Sequence, residues 1–533
     1  MTPTFSPIGG LAWRPALCRW GTLWLLLCSC GQEPPPPVST DQTLPAQATD
    51  SAPVSPVTDY PSDDGPLRWR PWSAATIAEA QRLGRPLLVY VATAGADGLL
   101  PGEDELVRSL AEERFVPVRV DPWLHPEIDR RYGGGWPCLA VVRSDGALVA
   151  RAPDISPDRV RTFLLRMLAH LDQRPDVVAA RIRPGSVTRG PIDPAQVMAA
   201  AGEDFDAVYG GFGGPDKHPE AALLRFLHHY QVARGGSDAG RMLRRTLDAI
   251  LASDLWDMQD GPGIYAQTPS WQMPRREVDA AVVAGLLRIF HLSGAAGSSA
   301  TGDRHATQEL LRFIKGRLYD AEMGGFAGRR LPLAAGQWWT DPVLYVDRLA
   351  YMTWALYELG EAVSAEIRHK RRRAADTLTS MVDADGVVQH ARRDGKDVGA
   401  RGLLRDQMLV SLALKAAFEA EGPPALPANP EWAAAVQRTI RWTREHLFDE
   451  QIGAFHDCLP PDGLSPKALS GWPIHTPFAD DVMPGGNALA ARLYQETRNV
   501  DMARQLLQHV PQRQPLRAFG SAAAVQLQLE AAE

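Results

Sequence analysis

The stretch FDAVYGGFGG, residues 205–214, decides the fold because its pattern returns along the chain: an aromatic residue, an aspartate, a short gap, then glycine and a second aromatic residue. The copies read LWDMQDGPGIYAQ from Leu255, LYDAEMGGFAG from Leu318 and LFDEQIGAFHD from Leu447, with a weaker one, MVDADGVVQHA, from Met381. Their aspartates, Asp206, Asp257, Asp320, Asp383 and Asp449, are spaced by 51, 63, 63 and 66 residues. A period of that size marks a supersecondary unit that cannot bury its own apolar face and stacks on copies of itself. Within each phrase glycine supplies positive φ, aspartate accepts backbone N–H groups and the aromatic residue anchors the loop. Asp206, Asp257, Asp320 and Asp449 therefore read as loop braces rather than acids.

Between the phrases apolar residues recur at three and four, as in VDAAVVAGLLRIFHLSG from Val278 and HATQELLRFIKGRLYD from His305. That spacing predicts two amphipathic helices per unit. A unit of about 60 residues holding two helices of about 15 to 20 is a helical hairpin. Five copies, with a degenerate sixth near Leu516 to Gly520, close a ring. The expectation for 204–530 is an all-α (α/α)6 toroid, six-hairpin glycosidase-like in build.

Ahead of the ring the composition changes twice. Arg14 and Arg19 precede the short apolar run Trp20 to Leu27, which ends in LCSC and Gly31. A charged start, a brief apolar core and a small residue before a cysteine make a secretory signal, here over 1–30 with Cys30 as the acylated residue of a lipobox-like ending. An ordinary signal peptide is the alternative. The run is too short to span a bilayer as a helix, so the expected membrane contact is a lipid anchor in a bacterial cell envelope. Residues 31–65, rich in Pro, Ser and Thr and including PPPP at Pro34, bury too little to offset ordering and read as a tether.

The segment 66–173 alternates helix and strand. Ser73 can cap a helix to about Leu83, Leu87 to Ala92 is a continuous apolar run suited to a buried strand, and Val116 begins another. Two further strands meet at the Asp145-Gly146 turn signal, and an amphipathic helix from Pro157 follows. This order predicts an α/β thioredoxin-like domain, joined by a linker, 174–203, to the toroid. Trp136-Pro137 stands where such folds place a cis proline, so Pro137 is expected to be cis.

The words WRPW, GRP, VRVD, PEID and GGGWP, followed by YGGFGGPDKHP, are similar to the spermatogenesis-associated protein 20 family, in which a thioredoxin-like domain is fused to a six-hairpin toroid. The resemblance runs from about Leu67 to the C-terminal region, and continues through DRLAYMTWAL at Asp347, RDQMLVSLAL at Arg405 and PGGNALAARL at Pro484. Members of that family usually carry two cysteines separated by two residues after the first long strand. This chain has TAGADG at 93–98 instead. Thiol–disulfide exchange needs an attacking thiolate and a resolving partner, so dithiol oxidoreductase activity is not expected. Cys138 and Cys458 remain in the folded part; Cys138 reads as an inert core thiol, with a one-thiol sensor or metal ligand as the alternative, and Cys458 lies in the last clear turn phrase with no role assigned.

Sugar chemistry in a toroid cleft would need two carboxyl groups about 5 to 9.5 Å apart and aromatic faces to cover sugar rings. Glu277, Asp347 and Asp406 are the candidates for acid–base or nucleophile roles. Glu277 falls where the family resemblance implies a block of histidine, phenylalanine, glutamate and lysine, but the block here is RREV. Ligand-binding candidates are Lys217 and His218 in GPDKHP, Trp339, and His475, Asp480, Asp481 and Asn487 in GWPIHTPFADDVMPGGN. The resemblance implies that Lys217 and His218 face the cleft mouth and that Asn487 lines its floor. No spacing suggests a closed metal site, and no phosphate-binding loop is present, so neither metal nor cofactor is expected.

A formal net charge of −7 gives no basic footprint for nucleic acid; RHKRRR from Arg368 reads as a solvated helix face. The expected partner is a saccharide or an envelope protein. Two functions stay open: an envelope lipoprotein whose redox-inactive domain and toroid cleft bind a ligand, and a sugar-active hydrolase or epimerase. A thioredoxin-like redox protein is a third.

Overall fold

The structure, a computed structural model, describes residues 67–93, 104–152, 155–173, 188–235, 237–295, 301–333, 336–421, 429–460, 471–473, 475–512 and 515–532. The expected signal peptide, Cys30, the tether and most of TAGADG lie outside the described residues. Within them, no helix is long and apolar enough to cross a membrane.

Residues 67–173 build a five-stranded mixed sheet. In chain order its elements are β1 (Arg70–Pro71), α1 (Ala74–Leu83), β2 (Leu87–Val91), α2 (Glu105–Arg114), β3 (Val116–Val120), α3 (Pro126–Tyr132), β4 (Cys138–Val142), β5 (Leu148–Ala152) and α4 (Pro157–Gln173). The strands lie in the order β1-β3-β2-β4-β5, with β3 parallel to β1 and β2, and β4 antiparallel to β2 and β5. Ser73 caps α1 by accepting from Thr76 N, and Gly84 ends it in the left-handed region. Leu87, Val89 and Val91 pack toward α1 and α3, whereas Leu88, Tyr90 and Ala92 pack toward α2 and α4. A strand buried on both faces reads as an unbroken apolar run, which is why β2 was legible. The Trp136-Pro137 bond is cis.

The rest is a closed ring. Its helices are α5 (Pro194–Asp204), α6 (Ala221–Arg234), α7 (Ser237–Leu251), α8 (Ala280–Ala295), α9 (Thr301–Phe313), α10 (Val346–Glu358), α11 (Ala365–Ser380), α12 (Leu404–Ala420), α13 (Pro430–Leu447), α14 (Gly486–Glu496), α15 (Val500–Leu507) and α16 (Gly520–Glu530). The even-numbered helices α6 to α16 form the inner wall, each packed on the next, and α16 packs back on α6. The odd-numbered helices α7 to α15 back the preceding even one, while α5 backs α16. Residue pattern follows position. Outer α7 buries Ala239, Met242, Leu243, Thr246, Leu247 and Ile250 along one stripe, whereas inner α8 is buried almost all round.

Helix α5 corrects the expectation of a plain linker over 174–203. Asp193 caps it by accepting from Ala195 N, with Pro194 in its first turn, and without it α16 would have no outer partner. Arg517 ties this seam by bonding Asp204 at the end of α5 and Glu220 at the start of α6. The run RHKRRR is not wholly solvated either: Arg371 is buried and donates to the carbonyls of Leu356 and Gly360.

Four of the five repeated phrases, all but the one from Leu255, close as miniature antiparallel pairings. Aromatic partners seven residues apart pair across it, Phe205 with Phe212, Tyr319 with Phe326 and Phe448 with Phe455, at ring separations of 5.6, 5.5 and 5.0 Å. The aspartate accepts the N–H groups two and three residues on, as Asp206 does from Val208 and Tyr209, and Asp449 from Gln451 and Ile452. The expected loop braces are therefore braces.

Sheet and ring lie in one compact unit and share an apolar cluster, in which Ala400, Leu403, Cys458 and Trp472 of the ring pack with Trp72, Tyr132, Cys138 and the inward face of the sheet. At its edge Arg131 of α3 donates to both oxygens of Asp457 at 2.9 and 2.7 Å, and both side chains are 1% exposed. Its Nε donates to Pro473 O at 2.9 Å, and the guanidinium lies 4.2 Å over the Trp472 ring. Removing one member of such a pair strands a buried charge, at about 3–5 kcal/mol. Asp457→Asn should lose that much in equilibrium denaturation, and the double variant Arg131→Met with Asp457→Leu should recover most of it.

Candidate functional site

Connections into the inner helices are long (205–220, 252–279, 314–345, 381–403, 448–485) and those leaving them are short, such as 235–236, 359–364 and 497–499. The sequence-predicted catalytic and ligand-binding candidates fall on this long-loop end of the ring, whereas Pro137 belongs to the sheet domain. The sheet domain covers part of the same end. Between β3 and α3, the loop 121–125 carries Trp123 into the ring, where its indole lies between the guanidiniums of Arg329 at 4.7 Å and Arg348 at 4.6 Å, with Tyr345 at 5.4 Å. Leu124 O accepts from Ala400 N at 2.9 Å. The approach is close at Gly399, whose φ is +76° and where a Cβ would meet Leu124 O at 2.5 Å.

Two of the three catalytic candidates lie beneath this wedge. Asp347 and Asp406, in the first turns of α10 and α12, are buried with His390 between them, a residue sequence reading missed. His390 Nδ1 is 2.8 Å from Asp406 Oδ2 and Nε2 is 2.9 Å from Trp123 O. A carbonyl only accepts, so Nε2 carries a proton. Burial alone would push the imidazolium down, but Asp406 and then Asp347 outweigh it and lift its pKa to about 9. Burial would likewise raise the Asp347 carboxyl; Arg348, then His390 and Arg405, hold it below the usual carboxylate range instead. Arg348 bonds Asp347 directly and reaches Asp279 at 3.3 Å.

Ligating atoms of Asp347, His390 and Asp406 lie within 4.8 Å of one another, a spacing a cation could use. Both ring nitrogens of His390 are committed as donors, however, which leaves no lone pair for a metal. With Arg348 counted, the trio balances in charge and forms a buried joint between ring and sheet domain. Asp341 belongs to the same buried layer, accepting from Arg329 Nε at 2.6 Å and from the Tyr345 hydroxyl at 3.0 Å.

Several ligand-binding candidates are stitches instead. Lys217, expected at the cleft mouth, is 1% exposed and pairs with Asp206 at 3.1 Å. Asn487, expected on the cleft floor, is fully buried; it accepts from Phe455 N at 2.8 Å and donates to Phe455 O at 2.9 Å, holding the last hairpin on α14. Asp480 accepts from Gly485 N and Ser521 N, joining the 471–485 loop to α16. His475 is half-buried and its carbonyl accepts from Asp457 N. Asp481 is exposed and pairs with Arg405 at 2.8 Å.

The remaining candidates form a strip along the rim. Exposed His218 stacks on Tyr265 at 4.9 Å; Tyr265 O accepts from Arg275 N; Arg275 stands 3.8 Å from Glu277. Next comes the three-stranded sheet of Val278–Asp279, Arg329–Pro332 and Trp338–Thr340, where half-buried Trp339 has Arg329 5.7 Å over its ring. Glu277 is the least engaged of the carboxylates, and burial lifts its pKa against the pull of Arg329 and Arg275. The two thiols are buried and free, and burial pushes Cys138 up to about 12, far from a reactive thiolate.

No protein-family model matches the chain, and no curated protein does. Among solved structures it is similar to a cellobiose 2-epimerase from Spirochaeta thermophila, at 12% identity over 70% of this chain and 99% of that one, with a TM-score of 0.49. A second cellobiose 2-epimerase, from Bacillus thermoamylovorans, gives 9% identity, 63% and 96% coverage and a TM-score of 0.49. An α-mannanase from Bacteroides thetaiotaomicron gives 10%, 63%, 94% and 0.44. The toroid assignment rests on the closed helix packing itself.

The His390 joint makes a signed pH prediction. Its folded pKa of about 9 exceeds the unfolded value of about 6.5, so its contribution is complete below pH 6.5 and is lost as pH rises through 9. Unfolding free energies of the wild type and His390→Gln from denaturant titrations should differ most at pH 6, by an amount on the order of 1–3 kcal/mol, and the difference should shrink as pH rises to 10.

Proposed function

We propose that this chain is a cell-envelope lipoprotein, a divergent relative of the spermatogenesis-associated protein 20 family. In this reading a redox-inactive thioredoxin-like domain is fixed over an (α/α)6 toroid whose rim binds a saccharide without cleaving it. The observation that carries the reading is the state of the carboxylates. Asp347 and Asp406, which a hydrolase would need free, are buried, paired with Arg348 and His390, and roofed by Trp123. A carboxylate so held is a poor proton carrier or nucleophile, because its charge is already spent on a neighbour. The mixed sheet with helices on both faces supports the thioredoxin-like part, TAGADG in place of a cysteine pair and the buried thiols support its redox inactivity, and the lipobox-like LCSC ending supports the anchor.

The saccharide face is the rim strip, where Trp339, Tyr265 and His218 offer ring faces and Glu277 and Arg275 offer hydrogen-bonding groups. Glu277 also favours a second reading as a sugar-active enzyme, since a half-buried carboxyl with a raised pKa suits a general acid. One experiment separates the two. Full chain in detergent, screened by thermal shift against neutral envelope glycans, should gain about 2.7 kcal/mol at a hundred times the dissociation constant. Trp339→Ala should remove the shift and no product should form. Turnover abolished by Glu277→Gln would replace binding by catalysis, and no shift with any glycan would leave a protein-binding scaffold.

A further inference from the structure

The ring axis holds a feature that the rim does not use. Between α6, α8, α10, α14 and α16 lies a cavity of about 50 Å³, lined by Arg225, His229, Arg288, Tyr351, Trp354 and Arg492 together with small and apolar residues of the same helices. Its lining also includes Pro484 and the polar Gln528, whose side-chain oxygen accepts from Arg492; it carries three guanidiniums and no carboxylate. The balancing acids stand behind the walls. Glu358 takes Arg288 through both oxygens at 2.6 Å and Arg225 at 3.1 Å, and Glu496 takes Arg492 at 2.6 Å while Lys415 lies 3.4 Å from it.

Lys415 is also taken by Glu419 at 2.7 Å, so three carboxylates serve four cations, one positive charge is left over, and the carboxylates stand outside the lining of the hollow. Guanidinium cannot shed its proton to relieve the excess. The field is visible at His229, where burial and then Arg225 push the imidazole down to about 3. Arg288 is held rigidly as well: its side chain is 2% exposed and its guanidinium lies 3.6 Å over Trp354. Forked donors converging on one hollow, with Arg288 fully withdrawn from water, are the arrangement that recognises carboxylate and phosphate oxygens. Since one water needs about 10–15 Å³ on the same measure, the hollow has room for one such group and not for a whole sugar ring.

We propose that this axial cavity binds a small oxyanion, a phosphate or a carboxylate, between Arg225, Arg288 and Arg492. The anion could arrive free or as the acidic substituent of a larger ligand, and the site does not depend on the rim taking saccharide. The test is a calorimetric and thermal-shift titration of the full chain at constant low ionic strength with orthophosphate, glucuronate and glucose. Saturable stabilisation by either anion and none by glucose is expected; phosphate alone marks a free anion, and tighter glucuronate marks an acidic sugar. Arg225→Gln and Arg492→Gln should each weaken anion affinity at least tenfold. Arg492→Gln keeps the test decisive if loss of Arg225 beside Glu358 prevents folding. No response to either anion, or a response unchanged in a folded variant, would overturn the site. A neutral-sugar shift that depends on Trp339 while the anions do nothing would leave the rim reading standing and this one refuted.

Discussion

The Arg131 guanidinium is held by two halves of the chain at once. It grows from a short helix of the sheet domain, yet its hydrogen bonds go to Asp457 and Pro473 in the ring. Charge taken out of water so completely is tolerated only when every donor finds an acceptor, and that condition fixes how α3 meets the ring. With α3 fixed, the loop before it has one course, and Trp123 enters between Arg329 and Arg348. The polar state of the ring's long-loop end is thus set by a residue of the other domain. His390 completes the arrangement, because a proton on Nε2 is demanded by the Trp123 carbonyl and a charge on the ring is favoured by two carboxylates.

This dependence explains which parts were legible in the sequence. The repeat phrases announced their own geometry: Phe205, Tyr319 and Phe448 pair with aromatic residues seven positions on, and the aspartate between them braces the turn through local backbone bonds. Local interactions write themselves into local sequence. Strand β2 was readable for the same reason, being apolar at every position. Helix α5 was missed because its partner α16 lies at the far end of the chain, and no window includes both.

The site was less legible, because its members are defined by neighbours on other elements, from 16 residues away for His390 and Asp406 to 267 for His390 and Trp123. Asp347 and Asp406 at the starts of inner helices were identified, but nothing near them in sequence says that one faces Arg348 and Asp279 and the other His390. His390 itself sits in VVQHARRDGK as a lone histidine among apolar and basic residues. The signal that could have raised it is its place in a hairpin strand that must cross the mouth of the ring. Lys217 and Asn487 carried polar side chains in glycine-rich loops, which suits a ligand and suits a stitch equally; burial decides for the stitch.

The seam between α5 and α16 has a consequence for how the molecule comes into being. Arg189 donates to His509 O across 320 residues, and Arg517 bonds Asp204 and Glu220 on either side of the same joint. Contacts so distant along the chain slow folding, since ends must meet before they reward the meeting. During synthesis the first five hairpins would stand as an open arc with the apolar flanks of α6 and α14 uncovered, and only the final helix seals it. A chain of this topology is therefore hazardous to itself until its last few dozen residues arrive.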